Sequence, residues 1–142
     1  MGHNDMKNKS LLLLVLVTVA VVMLLAGCQP APPEETVEER AQARWDLILD
    51  NEFEKTYELY SPGYRQTVDV YAHVMEMRNR PIRYTGARVE SAECEPEICK
   101  VRVRVEYRAT GAPAGLGRVP GNRVITEDWI RSNDRWWYAP SR

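Results

Sequence analysis

Histidine, cysteine and phenylalanine are scarce in this chain, with two, three and one among 142 residues. Each scarcity removes a class of chemistry. His3 lies at the extreme N-terminus, so His73 alone serves the body of the chain, too few to build an imidazole-rich zinc site. No Ser-His-Asp order, glycine-rich phosphate loop or metal-spaced ligand cluster is present, and neither a metal nor a cofactor is expected. A charge excess is missing too: 19 Lys and Arg face 20 Asp and Glu. With no strong field of one sign, nucleic acid is not an expected partner. Nor does any apolar run reach the ~20 residues a helical span needs. The longest, Leu11–Leu25, has 15 residues with Thr18 its one polar member.

That run suits the apolar centre of an export leader. Lys7 and Lys9 precede it, small Ala26 and Gly27 follow it, and Cys28 comes next. The order Leu25-Ala26-Gly27-Cys28 resembles the bacterial lipobox, whose cysteine thiol is lipidated and whose leader is cut off before it. The resemblance implies a lipoprotein: residues 1–27 removed, Cys28 lipidated, 28–35 a Pro-rich tether, and 36–142 the folded body. It places the protein in the cell envelope with the membrane as partner. Gln29, in place of a retention aspartate, favours the outer membrane, facing the periplasm, in a cell that has one. Each buried lipid methylene contributes about 0.8 kcal/mol, and two chains suffice for stable anchoring. An uncleaved anchor with an incidental cysteine is the alternative, and Met6 rivals Met1 as the start.

Two further cysteines, Cys94 and Cys99, stand five positions apart. In an exported chain they are expected to form a disulfide. Without a nearby histidine they cannot complete a metal site, and C-E-P-E-I-C lacks the spacing of a redox pair.

The body divides into a helical half and a strand half. Over 34–51, Val37, Ala41, Trp45, Ile48 and Leu49 recur at helical spacing, with Thr36 and Glu39 forming a capping box. A short helix is expected over 52–60 and a third over 67–79, whose apolar arc takes in Val68, Val70, Tyr71, Val74, Met75 and Met77. From Ile82 the period becomes two. Val101, Val103, Val105 and Tyr107 alternate with charged residues over 98–109, and a strand over 83–93 pairs with them. Its faces match only with a bulge near 91–93. A loop over 110–122, a strand over 123–131, a turn at 132–134 and a strand over 135–139 complete the expectation. Its class is α+β, three helices packed on a curved antiparallel four-stranded sheet.

The stretches RWDLILDNEFEKTYELYSPGYR and EDWIRSNDRWWYAP, with a helix and strands between them, resemble the nuclear transport factor 2-like superfamily. That resemblance implies a cone-shaped cavity between helices and sheet, and a possible homodimer through the outer sheet face. Enzymes of that superfamily use an Asp or Glu, often with His or Tyr, at the base of the cavity.

Candidate residues fall into three groups. For acid-base work, His73 lies outside the expected arc beside Asp69, Asp46 is expected to be exposed, and Asp128 is placed to face inward beside Trp129. None has an evident catalytic partner, so no catalytic residue is assigned. Trp45, Tyr57, Tyr60, Tyr64, Tyr71, Tyr107, Trp129, Trp136, Trp137 and Tyr138 can line a pocket for an apolar or ring-bearing ligand, Trp45, Tyr57, Tyr60, Tyr64, Tyr71, Trp129 and Trp137 foremost; filling a small core is the plainer role for the same rings. Lys100, Arg102, Arg104 and Arg108 share one strand face, either a docking patch for an acidic partner or a solvated face neutralised by glutamates. The leading expectation is a non-catalytic envelope lipoprotein whose domain binds an envelope protein, a glycan or a small apolar ligand. A small cavity isomerase, dehydratase or hydrolase, or a structural subunit packing through its sheet, stands as the alternative.

Overall fold

The computed structural model describes residues 34–109 and 119–141. The leader, Cys28 and most of the tether lie outside them, as does 110–118 of the expected loop.

Helix α1 spans Val37–Leu49. The Thr36 hydroxyl accepts from the Glu39 amide at 3.2 Å, and the Glu39 carboxylate accepts from the Thr36 amide at 2.9 Å. Both bonds of the capping box are therefore present. Its buried residues Val37, Arg40, Ala41, Arg44, Trp45 and Ile48 make one continuous stripe. Helix α2 covers Phe53–Tyr57.

The expected third helix over 67–79 is a helix at Val70–Asn79, here α4, and a further helix, α3 at Pro62–Thr67, precedes it where only a turn and a lead-in were expected. Four helices therefore precede the sheet, not three. The break has two causes. Ser61 caps α3, with Pro62 at its first turn, and Val68 leaves that helix in an extended conformation (φ −129°, ψ 122°). Asp69 then restarts the chain, its carboxylate accepting from the Ala72 amide at 2.8 Å. The restart turns the buried face of α4 to His73, Val74 and Met77. Val70, Tyr71 and Met75, expected inside, are 44%, 73% and 37% exposed.

Four antiparallel strands follow in spatial order β1-β2-β3-β4: Ile82–Cys94, Ile98–Ala109, Val119–Ser132 and Arg135–Ala139. Val101, Val103 and Val105 point inward, with Ala87 opposite Val105 and Val89 opposite Val103. Two register shifts make this possible, between Tyr84 and Gly86 and between Val89 and Ser91. One bulge was expected nearby; the structure sets it at Glu90 and adds another at Thr85. Strand β3 begins four residues before the expected strand, and there Gly121 lets the Tyr107 ring lie across the backbone. A Cβ at 121 would meet that ring at 2.6 Å. Asn133 and Asp134, both at positive φ, close the β3–β4 hairpin. At the free edge of β1, the Gln42 side-chain amide bonds the Ala87 carbonyl and the Val89 amide (3.2 and 3.0 Å), as a neighbouring strand would.

Between helices and sheet, the space expected to be a cone-shaped cavity is filled. Trp45, Phe53, Met77, Val101, Val103, Val105 and Trp129 pack there, none more than 4% exposed. Cys94 and Cys99 are disulfide-bonded across the β1–β2 turn, their Cα atoms 4.1 Å apart. Among the described residues, no helix is long and apolar enough to cross a membrane.

Candidate functional site

The polar centre of the core was missed in the sequence. Period two along β3 places Glu127 on the face of Trp129 and sends Asp128 to the other. Glu127 is 3% exposed. Its Oε1 accepts from Arg44 at 2.8 Å and from the Trp45 indole at 2.9 Å, and its Oε2 accepts from the Trp129 indole at 3.1 Å. Arg44 also donates to the Tyr60 hydroxyl at 2.9 Å and lies 3.7 Å above the Tyr138 ring. Burial opposes the Arg44 charge, but Glu127, Tyr60 and Tyr138 outweigh it and hold the guanidinium protonated. Both Glu127 oxygens thus meet donors, three in all, and this carboxylate ties α1 to β3. Asp128, expected to face inward, lies outside and pairs with Lys100 at 2.9 Å.

His73, expected on the surface beside Asp69, is 1% exposed. It sits among the rings of Tyr57, Tyr60 and Tyr64, with centroids 5.5, 4.6 and 5.9 Å away. Nε2 lies 2.9 Å from the Thr56 hydroxyl and Nδ1 3.1 Å from the Tyr64 hydroxyl. Burial, aided by Arg44, pushes its pKa down to about 4. The ring is neutral at pH 7. Asp69 caps α4 instead of pairing with it.

Beside this cluster a cleft of about 470 Å³ opens to solvent. Tyr60, Tyr64 and Tyr138 give it an aromatic wall, Val68 an aliphatic one, and Glu76 and Arg80, paired at 2.7 Å, a charged rim. Gly63, Ala139, Pro140 and Ser141 complete it. Position 63 is open, with no atom within 4 Å of where a Cβ would stand. Burial raises the Tyr64 hydroxyl to about 12, and burial with Glu127 and Tyr60 raises Tyr138 to about 12. Both therefore keep their protons at neutral pH.

Of the ten rings that could line a pocket, Tyr60, Tyr64 and Tyr138 line this cleft, while Tyr107 and Trp136 pack partly buried against the core. Trp45 and Trp129 are core. Tyr57 donates its hydroxyl to the Val68 carbonyl at 2.8 Å and braces the α3–α4 junction. Tyr71 stands in solvent, and Trp137 lies at the sheet edge beneath Arg40, Arg65 and Arg135. Glu76 and Arg80 were missed because the cleft joins α3, α4 and β4, which no local pattern relates.

The second candidate surface is the outer sheet face. Lys100, Arg102, Arg104 and Arg108 all lie on it, exposed. Arg104 pairs with Glu90 at 2.6 Å, as Lys100 does with Asp128. Register places Arg104 opposite Arg88 and Arg108 opposite Arg83. Among the described residues, no three His, Cys, Asp or Glu side chains gather to hold a metal.

Neither a protein-family model nor a curated protein sequence matches the chain. Solved structures do. The solution structure of a SEC-C motif-containing protein from Rhodopseudomonas palustris superposes with a TM-score of 0.58 at 15% identity, covering 77% of this chain and 79% of that one. The crystal structure of a SEC-C motif-containing protein from Psychrobacter arcticus gives 0.52 at 14%, covering 79% of this chain and 63% of that one. The chain thus spans less than two thirds of the second protein. At such identities the likeness is one of fold alone. It corrects the expected kinship: the neighbours are SEC-C motif-containing proteins, not nuclear transport factor 2-like lipoproteins, and the filled helix–sheet space agrees with the correction. Neither neighbour bears on lipid attachment.

Proposed function

We propose that this domain is a non-catalytic binding module held in the cell envelope through lipid on Cys28, with the tyrosine cleft as its ligand site. The cleft is the observation that carries the reading. At about 470 Å³ it falls within the ~300–1,000 Å³ common for small-molecule sites. It joins aromatic walls to a few polar groups, the combination that gives a ring-bearing ligand both contact area and orientation. Envelope location is supported separately, by the lysines, the apolar run and the Leu25–Cys28 order. A non-catalytic role is supported by the pairing of two carboxylates. Glu127 is sealed behind three donors, and Glu76 is paired with Arg80.

The test is a nuclear magnetic resonance titration of the full chain in detergent micelles with phenol, benzylamine and benzoate. A ring-bearing probe should shift the signals of Tyr64, Val68 and Tyr138 together. Shifts confined to the outer sheet face would move the binding site to the arginine surface. Shifts nowhere would end the ligand-binding reading.

A further inference from the structure

We infer that the cleft selects a ring-bearing ligand whose polar head donates hydrogen bonds, in its simplest form a primary amine, and disfavours the matching carboxylate. This deepens the ligand site proposed above and rests on it.

The argument follows protons. The Thr56 hydroxyl oxygen and the Phe53 carbonyl oxygen are 2.8 Å apart. Two oxygens that close need a hydrogen between them, and only Thr56 carries one. Its proton spent, Thr56 can only accept from His73 Nε2, 2.9 Å away. His73 therefore carries its proton on Nε2. The ring is neutral, so Nδ1 is a bare acceptor, and the Tyr64 hydroxyl 3.1 Å away donates to it. The buried chain Tyr64–His73–Thr56–Phe53 thus runs in one direction and ends on a backbone carbonyl that cannot reverse it.

The consequence reaches the cleft. Tyr64 is on the lining, and its hydroxyl, its one proton committed to His73, has only lone pairs left to offer. Thr67, also on the lining, directs its hydroxyl proton to the Tyr64 carbonyl at 3.0 Å and keeps only acceptor capacity. Glu76 is an acceptor by charge, with Oε1 already taken by Arg80. Four lining groups run the other way. Ser61 Oγ accepts from the Tyr64 amide and has its own proton free, but it is 6% exposed; Arg80 spends one N–H on Glu76 and keeps others; and the Tyr60 hydroxyl, which accepts from Arg44, and the Tyr138 hydroxyl each carry a proton. The acceptors are those of Tyr64, Thr67 and Glu76, all contributed by α3 and α4. A carboxylate seated against Tyr64 and Thr67 would meet lone pairs with lone pairs. An ammonium group on that side of the cleft would meet an acceptor in place of a lone-pair clash, and aromatic faces that favour cations.

Two measurements decide it. In the full chain in micelles at pH 7, benzylamine should bind in the cleft at least about tenfold more tightly than benzoate, a single directed hydrogen bond being worth that much. Tyr64→Phe, which removes the acceptor, should erase most of the preference. In the wild type, the ¹⁵N spectrum of His73 should show the proton on Nε2, a readout independent of any variant's folding. Equal or tighter binding of benzoate would overturn the selectivity while leaving the cleft as a ligand site, and a proton on Nδ1 would overturn its cause. Binding of neither probe would remove the ligand site and the selectivity together.

Discussion

Glu127 is the residue on which the interior turns. Removing one member of a buried ion pair leaves the other charged and uncompensated, at about 3–5 kcal/mol. Glu127→Gln keeps the shape but points an amide N–H at an indole or guanidinium donor. Urea denaturation should show it less stable by about 3 kcal/mol, with an unchanged m-value. His73 is the residue that titrates. Its folded pKa, about 4, lies below the ordinary 6.5. Between those values the unfolded chain binds more protons, so stability rises with pH across the interval. The contribution is complete above pH 6.5 and lost as pH falls toward 4, about 3 kcal/mol in all. Following the His73 ring signal by nuclear magnetic resonance should give a midpoint near pH 4. A midpoint at 6.5 would mean the ring is not buried as described.

At the scale of elements, caps and turns decide where helices stop. Asp69 separates α3 from α4, so Asp69→Ala should cost about 1 kcal/mol and loosen the wall of the cleft. Circular dichroism with thermal melting would register the first effect, and amide exchange at 70–73 the second. Such caps explain what the sequence made legible. The Thr36 box, the strand over Ile98–Ala109 and the hairpin into Arg135–Ala139 are written in short-range patterns of two or three residues, and the structure places them there. The α3–α4 break was legible in principle, since Asp69 is a good cap, but an unbroken helical wheel hid it. That error rotated α4, leaving His73 outside and Tyr71 inside. Period two marked Glu127 as the same-face neighbour of Trp129, yet an isolated glutamate seldom reads as core. The cleft itself was illegible, because its walls come from residues 60–80 and 138–141 and meet only through the finished sheet.

On the whole-molecule scale, one covalent crosslink is part of the fold and one covalent anchor is proposed. The Cys94–Cys99 bond closes a short loop, so reduction should lower stability by about 2 kcal/mol without moving the cleft, as parallel denaturation curves with and without reductant would reveal. Lipid on Cys28, as proposed, would confine the domain to a membrane surface through a tether of a few residues and raise its local concentration toward envelope ligands. The filled space between helices and sheet leaves the tyrosine cleft as the place where such a ligand would be received. Val68 lines that cleft in an extended backbone conformation that accepts any side chain, so a large ring there obstructs the cleft without entering the core. The most direct test is to titrate the full chain and its Val68→Trp variant side by side with benzylamine, recording both melting curves. The account predicts unchanged melting and binding weakened at least about tenfold in the variant. Equal binding by the two proteins would contradict it.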